Sequence, residues 1–486
     1  MHSPNGDYMV GRMLIGGKLV ESRNGQWLES INPMDESPIG RVPLGGADDV
    51  IAAVEAAEEA QPLWDALPMS ERISHIQKLA AAIKGHTEEI ARLESLDTGN
   101  TIGPMRRDVG TAVDRMLFYA GIAYELKGGT FPATSTNLHL TLRVPYGVVA
   151  RIIPFNHPIG FAASRLAPAL IAGNAIVIKP SEQSPLSSCI LAELCAEHLP
   201  PGVVNIVTGG RETGDALVRH PRVKRIAFIG SVPSGMAIQR AAAETAVKHV
   251  TLELGGKNPL VVCADADLDK VADAAVAGMN FSWQGQSCGS TSRLLLHESV
   301  HDAVLERVLG KVARIRLGDP IDPGTNMGPV NSRGHYDKVM SYIRLGKEEG
   351  ARLVAGGGRP AGAQFEKGFW IEPTVFTDVN MSMRLAREEI FGPVLSVLRW
   401  REESEAVAMA NAVEYGLTAA VWTNDLNRAM RMARRIKAGY IWINGVGTHY
   451  RGVPYGGAKN SGVGTEEGLD ELLSYTEIKA INIVSG

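Results

Sequence analysis

Cysteine is scarce in this sequence. The 486 residues include four cysteines, Cys189, Cys195, Cys263 and Cys288. So few cysteines in so long a chain exclude a disulfide framework. None has the spacing of a metal site, because Cys189 and Cys195 have no histidine pair nearby. We therefore expect a protein of a reducing cytoplasm that holds no metal ion.

Long apolar runs and an excess of charge are also missing. No apolar run reaches about 18 residues, so no segment is expected to cross a membrane. Residues 1–7 lack a basic region followed by an apolar one, which argues against a signal peptide. The formal net charge of −4 gives no reason to expect nucleic acid as a partner. With 45% hydrophobic and 21% charged residues, the composition is that of a globular protein of two or three domains.

The most regular part of the chain is a series of short β-branched runs. They are separated by segments long enough for a helix, and they lie at residues 148–153, 175–178, 203–207, 226–229 and 250–254. Near-continuous apolar runs that alternate with amphipathic helices indicate a parallel sheet covered on both faces. The sequence therefore predicts an α/β protein with a Rossmann-like domain, in which ligands bind at the carboxyl ends of the strands.

Other segments are less informative about function. Residues 47–94 and 108–125 show helical periodicity and no chemistry. A second α/β region follows, with strand candidates at residues 260–263, 294–297, 394–399, 419–422 and 440–444. The stretch 454–464 is rich in glycine and is predicted to be a loop before a last helix and a strand at residues 480–484.

Three features of these segments can carry chemistry. Gly230 and Gly235 stand between a predicted strand and a predicted helix, which favours a phosphate site, although the spacing is neither that of a P-loop nor that of the usual dinucleotide motif. Cys288 lies among small polar residues, as a reachable thiol would, but free cysteines are more often packed and inert. Glu253 alternates with apolar neighbours in a buried strand, so its charge must be paired or neutralised.

Seven stretches together resemble the aldehyde dehydrogenase superfamily, in that family's order. They are Pro154-Phe-Asn-His-Pro158, Val177-Ile-Lys-Pro-Ser-Glu182, Phe228-Ile-Gly-Ser231, Leu252-Glu-Leu-Gly-Gly-Lys-Asn258, Gly285-Gln-Ser-Cys288, Glu388-Glu-Ile-Phe-Gly-Pro393 and Pro454-Tyr-Gly-Gly-Ala-Lys-Asn-Ser-Gly462. The resemblance implies that Cys288 is a nucleophile that forms a thiohemiacetal and then a thioester. It also implies that Asn156 binds the oxyanion together with the Cys288 backbone N–H, and that Glu253 activates water.

The resemblance further implies an NAD site. A carboxylate at Glu182 accepts hydrogen bonds from ribose hydroxyls but repels a 2′-phosphate, so NAD is expected rather than NADP, although Lys179 could partly compensate. Gly230, Ser231 and Gly235 are expected to face the pyrophosphate, and Glu389 and Phe391 the nicotinamide ribose and ring. The complete set of expected cofactor residues is Ile153, Pro154, Phe155, Lys179, Ser181, Glu182, Gly209, Phe228, Gly230, Ser231, Gly235, Leu254, Gly255, Glu389 and Phe391.

Some positions depart from the family's usual residues. His157 and Tyr455 stand where many members have phenylalanine, and His157 is expected to be a wall of the substrate site rather than a proton carrier. Ser164 matches neither the tryptophan of acetaldehyde-type enzymes nor the arginine of succinate-semialdehyde enzymes, which argues against a short ω-carboxylate semialdehyde. The expected substrate-lining residues are His157, Phe161, Ser164, Trp283, Ser287 and Tyr455. The sequence does not identify the aldehyde.

Two alternatives stay open at this point. A coenzyme A-acylating enzyme would use a thiol instead of water, but that branch usually lacks the glutamate at position 253. A non-catalytic structural protein on the same scaffold would have no need of Cys288, Asn156 and Glu253 together. The resemblance also implies an NAD-binding domain (1–126 and 146–255), a catalytic domain (256–469) and an oligomerisation flap (127–145 and 470–486), in a homodimer or homotetramer.

Overall fold

The structure is a computed structural model that describes residues 8–484. The expectation about a signal peptide, and the outer ends of the predicted segments 1–126 and 470–486, lie outside the described residues. Strands make up five sheets, and helices cover both faces of the two largest sheets. The prediction of an α/β fold with parallel sheets is confirmed.

The strands, in chain order, are β1 (Met9–Val10), β2 (Met13–Ile15), β3 (Lys18–Val20), β4 (Trp27–Ile31), β5 (Pro38–Pro43), β6 (Thr130–Thr134), β7 (Asn137–Pro145), β8 (Val148–Ile152), β9 (Ala175–Lys179), β10 (Val204–Ile206), β11 (Val223–Ile229), β12 (His249–Glu253), β13 (Pro259–Val262), β14 (Arg293–His297), β15 (Arg352–Ala355), β16 (Thr374–Thr377), β17 (Val394–Trp400), β18 (Tyr415–Gly416), β19 (Thr418–Trp422), β20 (Tyr440–Ile443), β21 (Ala458–Lys459), β22 (Gly462–Val463) and β23 (Thr476–Val484).

The α-helices, in chain order, are α1 (Ala47–Asp65), α2 (Met69–Gly85), α3 (Thr87–Thr98), α4 (Ile102–Gly121), α5 (Pro158–Ser164), α6 (Leu166–Ile171), α7 (Leu186–His198), α8 (Arg211–Arg219), α9 (Val232–Thr245), α10 (Leu268–Gly278), α11 (His301–Val312), α12 (Arg333–Glu348), α13 (Arg384–Arg387), α14 (Glu403–Asn411), α15 (Leu426–Arg435) and α16 (Leu469–Leu473). Within residues 8–484, no helix is both long and apolar enough to cross a membrane.

The largest sheet has eight strands in the order β22-β12-β11-β8-β9-β10-β2-β3. Its five central strands are parallel and are the five that the sequence predicts. Their side chains are almost all buried, because helices cover both faces. From β8 the chain continues to β9 and β10 on one side, and it then returns to place β11 and β12 on the other side of β8. Because the connections after β8 and β11 run in opposite directions, a crevice opens at the carboxyl ends of these two strands.

A second sheet has seven strands in the order β15-β16-β17-β14-β13-β19-β20. It contains the five strands that the sequence predicts in this region and two more, β15 and β16, that the sequence analysis missed. The antiparallel pair formed by β15 and β16 lies at one edge of an otherwise parallel sheet. The loop that carries Cys288 connects α10 to β14, so it leads into the central strand of this sheet.

The tail corrects one expectation. Residues 454–464 are not simply a loop, because β22 pairs antiparallel with β12 and so extends the first sheet from within the predicted segment 256–469. The strand β23 pairs along its whole length with β7, and β6 completes a separate three-stranded sheet, as the predicted flap requires. The predicted last helix is α16, which ends at Leu473 and so overlaps the start of the predicted flap segment 470–486.

Candidate active site

The loop before Cys288 is a tight turn of the backbone. Asn280, Gln284 and Gly285 all have positive φ angles, of 56°, 52° and 69°. A side chain at Gly285 would collide with the carbonyl of Gly392, so the close approach of two loops requires glycine there. The Asn258 side chain donates to the Cys288 carbonyl at 2.7 Å and fixes the end of the loop. Cys288 is half-buried, whereas the other three cysteines are buried.

Asn156 follows β8 and reaches the same loop. Its Nδ2 donates to the Gln286 carbonyl at 2.9 Å, and the Asn100 side chain donates to the Asn156 carbonyl at 2.9 Å. A primary amide has two N–H groups, so the second N–H of Asn156 remains available. The Gln286 side chain is itself held, since its Oε1 accepts from the Asn331 N–H at 3.0 Å. The amide of Asn156 is therefore fixed in place beside the Cys288 loop.

Glu253 is the last residue of β12, and it is buried. Neither carboxylate oxygen accepts a hydrogen bond of regular geometry among the described residues, although the Cys288 thiol lies close enough to lower the pKa of Glu253 slightly against the effect of burial. Burial raises its pKa well above the usual range, and the nearby charge of Glu466 raises it further. Burial likewise raises the pKa of the Cys288 thiol, with Glu253 adding to the effect. A carboxyl group without a regular hydrogen-bond partner, and with a raised pKa, is suited to take a proton.

A network of buried ion pairs lies behind Glu253. Glu466 accepts from Arg151 at 2.8 Å and from Arg165 at 2.9 Å. Arg165 also pairs with Glu471 at 3.0 Å. The two arginines lower the pKa of Glu466 although burial alone would raise it. A charged carboxylate is thus held close to Glu253, and it works against a second negative charge there.

Two cavities meet at this point. One, of about 400 Å³, lies between α4 and the loop that follows β20, and the other, of about 740 Å³, follows the carboxyl ends of β8, β9 and β11. Cys288 and Glu253 line both cavities, and no other residue between 8 and 484 does. A molecule in either cavity can therefore reach the same thiol and the same carboxylate.

The larger cavity contains most of the predicted cofactor residues. Those that line it are Ile153, Pro154, Phe155, Lys179, Ser181, Glu182, Phe228, Gly230, Ser231, Gly255, Glu389 and Phe391. The Lys179 amine pairs with the Glu182 carboxylate at 3.2 Å and donates to the Pro180 carbonyl. Glu389 accepts from the Gly256 N–H at 2.9 Å. Helix α9 begins directly after Ser231, and Ser231, Pro233 and Ser234 line this cavity, so the positive end of the helix lies at its wall.

Comparison with known proteins agrees with this geometry. The sequence profile of the aldehyde dehydrogenase family matches residues 19–481. The chain belongs to the aldehyde dehydrogenase family. It is 47% identical over 466 residues to a protein named aldehyde dehydrogenase tropH from Talaromyces stipitatus, an alignment that covers 94% of this chain and 90% of that protein.

Solved structures of aldehyde dehydrogenases have the same fold. An NAD-dependent aldehyde dehydrogenase from Sinorhizobium meliloti superposes with a TM-score of 0.95 at 40% identity, covering 98% of this chain and 95% of that one. Betaine aldehyde dehydrogenase from Staphylococcus aureus in complex with NAD⁺ gives a TM-score of 0.95 at 36% identity, with the same coverage of the two chains. The family that the seven motifs predict is therefore confirmed.

Four predicted site residues of this aldehyde dehydrogenase line neither cavity. Gly235 and Leu254 pack against each other beneath the larger cavity, since a side chain at Gly235 would collide with Leu254. Gly209 is buried against Thr213 and Gly45. Ser164, predicted to line the substrate site, is fully buried and its hydroxyl donates to the Gly160 carbonyl one helical turn earlier at 2.5 Å. These positions support the cavity walls from behind.

The remaining predicted substrate residues line the smaller cavity. His157 contacts Phe161 and Trp283, with ring centroids 5.4 Å apart in each pair. The Tyr455 hydroxyl lies 3.9 Å from the Cys288 sulfur, and its ring stacks on His449. Ser287 lines the same cavity. The predicted mouth of mixed polarity is thus formed by these side chains.

Several residues around the site were not predicted. His335 and Lys338 line the larger cavity, and the His335 Nε2 lies 2.5 Å from the Phe391 carbonyl oxygen. Burial lowers the pKa of His335 to about 4, so this ring is neutral and donates to that carbonyl. In the smaller cavity, Asp108 and Arg115 come from α4, which the sequence analysis treated as structural. A lone charged residue on an amphipathic helix gives no signal that it lines a site.

Proposed function

We propose that this chain oxidises an aldehyde to the carboxylic acid with NAD, through a covalent intermediate on Cys288 and hydrolysis by water that Glu253 activates. The observation that carries the proposal is that, among residues 8–484, the two cavities meet at Cys288 and Glu253 alone. An aldehyde in the smaller cavity and a nicotinamide in the larger one would both reach the same sulfur. That arrangement supports attack by the thiolate and hydride transfer at one centre.

The first step uses Cys288 and Asn156. Glu253 takes the proton of the Cys288 thiol and passes it to solvent, the sulfur adds to the carbonyl carbon, a C–S bond forms as the C=O π bond breaks, and the carbonyl oxygen becomes an oxyanion. The free N–H of the Asn156 amide, with the backbone N–H of Cys288, stabilises that oxyanion. Because Asn156 is already held by Gln286, the amide does not have to reorganise as charge develops.

The residues of the larger cavity fit a dinucleotide. Glu182 would hold the ribose hydroxyls next to adenine, with Lys179 beside it, and the first turn of α9 would bind the pyrophosphate. A side chain at Gly255 would collide with the Glu389 carboxylate, so the floor of the cavity depends on glycine. When bound there, NAD supplies the hydride acceptor. The exposed carboxylate of Glu182 disfavours a 2′-phosphate, which supports NAD over NADP.

Glu253 would complete the reaction. Its unpartnered carboxylate takes a proton from water, which attacks the thioester carbon, and the C–S bond breaks to release the acid and the Cys288 thiolate. The coenzyme A-acylating branch usually lacks this glutamate. The buried, unpartnered carboxylate therefore supports hydrolysis rather than transfer to a thiol.

The reaction can be tested with a broad panel of aldehydes and NAD. We expect NADH to form in a 1:1 ratio with free carboxylic acid, at a rate that added coenzyme A does not change. Ultraviolet absorbance at the NADH band and chromatography of the product measure the two yields. Product in the form of an acyl-coenzyme A would contradict hydrolysis, and no NADH from any aldehyde would favour a structural protein instead.

Asn156→Ala should reduce turnover without weakening NAD binding. Loss of one oxyanion donor typically lowers kcat by about 10²–10³-fold. NAD binding should be unaffected because Asn156 is not one of the cavity residues expected to hold the adenosine ribose, which are Lys179 and Glu182. Steady-state kinetics give kcat, and NAD titration by protein fluorescence gives the Kd. Unchanged turnover in Asn156→Ala would remove this residue from the mechanism.

We also propose that the chain forms a homodimer or homotetramer. The three-stranded sheet of β6, β7 and β23 carries exposed apolar side chains, among them Phe131, Leu142 and Ile478. An exposed apolar face on a sheet that stands apart from both main sheets is typical of a contact between subunits.

A further inference from the structure

The smaller cavity contains a histidine–aspartate pair that the proposed chemistry does not use. The His157 Nδ1 lies 2.7 Å from the Asp108 Oδ2, and both side chains are mostly buried. His157 directly follows the proposed oxyanion residue Asn156, and Asp108 lies on α4 across the cavity rim. The pair therefore joins two walls of the substrate cavity a short distance from the reacting sulfur.

This pair determines how the imidazole can bind a ligand. A carboxylate that accepts from Nδ1–H fixes the tautomer, which leaves the Nε2 lone pair as a hydrogen-bond acceptor. Nε2 has no partner among the residues that the structure describes, and His157 lines the cavity. A donor on a bound molecule would satisfy it.

A purely structural role does not account for the pair. The start of α5 is already held by Glu94, whose carboxylate accepts from the Ile159 N–H at 2.6 Å and from the Ser187 hydroxyl at 2.7 Å. Asp108 is not needed as a helix cap there. A phenylalanine at position 157 would also keep the ring contacts with Phe161 and Trp283 without requiring a buried carboxylate.

The other charges of the cavity argue against an anionic substrate. Arg115 pairs with Glu467 at 2.6 Å, and Arg451 pairs with Asp114 at 3.0 Å. Arg165 is paired with three glutamates. Because each arginine that lines the cavity is neutralised by a carboxylate of the protein, a substrate carboxylate would find no free cation.

The walls of the cavity favour a flat molecule. His157 lies between Phe161 and Trp283, and Tyr455 and Trp442 line the same space. Aromatic side chains provide flat contact surfaces, and a cavity of about 400 Å³ accommodates a substituted ring.

We propose that the His157–Asp108 pair is a recognition subsite that selects aldehydes carrying a hydroxyl group on a ring, with the hydroxyl donating to His157 Nε2. The subsite deepens the proposed function and rests on it. The substrate class is a hydroxylated cyclic or aromatic aldehyde, and the pair acts on binding rather than on the chemical step.

The test compares matched aldehydes. For benzaldehyde and its 3-hydroxy and 4-hydroxy derivatives, we expect kcat/KM of the native enzyme to favour one hydroxylated isomer by about tenfold, the effect of one hydrogen bond. In His157→Phe and Asp108→Asn that ratio should fall towards one, mainly through KM. Asp114→Asn is the matched control, since it removes a carboxylate from the same helix and rim but not the partner of His157.

A second measurement avoids turnover. Benzamide and the corresponding hydroxybenzamide resemble the aldehydes but cannot be oxidised. When either amide occupies the cavity, it should slow the alkylation of Cys288 by iodoacetamide, so the rate of alkylation reports its binding. The hydroxylated amide should protect at about tenfold lower concentration in the native enzyme, and the difference should vanish in His157→Phe.

The outcomes separate this inference from the proposed function. Oxidation of all the aldehydes with equal kcat/KM, or a preference that His157→Phe leaves intact, would overturn the subsite and leave the function standing. A preference for 4-carboxybenzaldehyde over both hydroxylated isomers would indicate a cationic imidazole and also overturn it. Absence of NADH from every aldehyde, with alkylation of Cys288 intact, would contradict the function itself.

Discussion

Cys288→Ala should abolish aldehyde oxidation. Removal of the nucleophile from an enzyme that works by covalent catalysis costs on the order of 10⁴–10⁶-fold in kcat. The loss should concern chemistry alone, because contacts other than the thiol hold the loop: Asn258 donates to the Cys288 carbonyl, and the Gln286 side chain accepts from the Asn331 N–H. NAD binding and the thermal unfolding temperature should therefore stay close to native values.

The measurement is NADH formation under single-turnover conditions, which detects even one reaction per site. Cys263→Ala is the matched control: it removes a thiol that is buried in the second sheet and whose pKa burial raises to about 11. Iodoacetamide should inactivate the native enzyme and Cys263→Ala at the same rate. Oxidation by Cys288→Ala at more than about 1% of the native rate would show that another group attacks the aldehyde.

The strands at the centre of both sheets could be predicted because they are fully buried. A buried parallel strand is a short apolar run, and β8, β9 and β11 appear as such in the sequence. The edges could not be predicted in this way. Strand β22 consists of two residues, one of them glycine, and only its pairing with β12 makes it a strand.

Short motifs predicted which residues are near the site but not which way they face. Ser164 is predicted to line the substrate site from its match to a family position, yet α5 is a seven-residue helix that turns its last side chain into the core. The resemblance also implies that Gly209 and Gly235 are cofactor residues. In this fold they allow close packing with Thr213 and Leu254 instead.

The charge network behind Glu253 could not be predicted at all. Arg151 and Arg165 precede Glu466 by about 300 residues, and nothing in the sequence distinguishes this glutamate from one on the surface. The short strand β22 is what brings the two segments together, since it holds the tail on β12 next to Glu253. The environment that raises the pKa of Glu253 thus depends on the least predictable strand of the sheet.

Glu253→Gln should separate the two halves of the reaction. Without a base to activate water, the thioester on Cys288 should accumulate after one round of oxidation. We expect a burst of one NADH per active site, followed by a steady-state rate about 10²–10⁴-fold below the native one. Stopped-flow absorbance resolves the burst, and mass spectrometry of the quenched protein should find the acyl group on Cys288.

Two further results would distinguish loss of the base from general damage at the site. Hydroxylamine needs no base to cleave a thioester, so it should restore turnover in Glu253→Gln, whereas Cys288→Ala should show neither burst nor rescue. The native rate of deacylation should also rise with pH, because the base must be ionised and burial raises the pKa of Glu253. In Glu253→Gln this part of the pH dependence should disappear. Full multiple turnover by the glutamine variant would mean that water is activated elsewhere, and Glu466, whose charge acts on Glu253, would then be the group to replace.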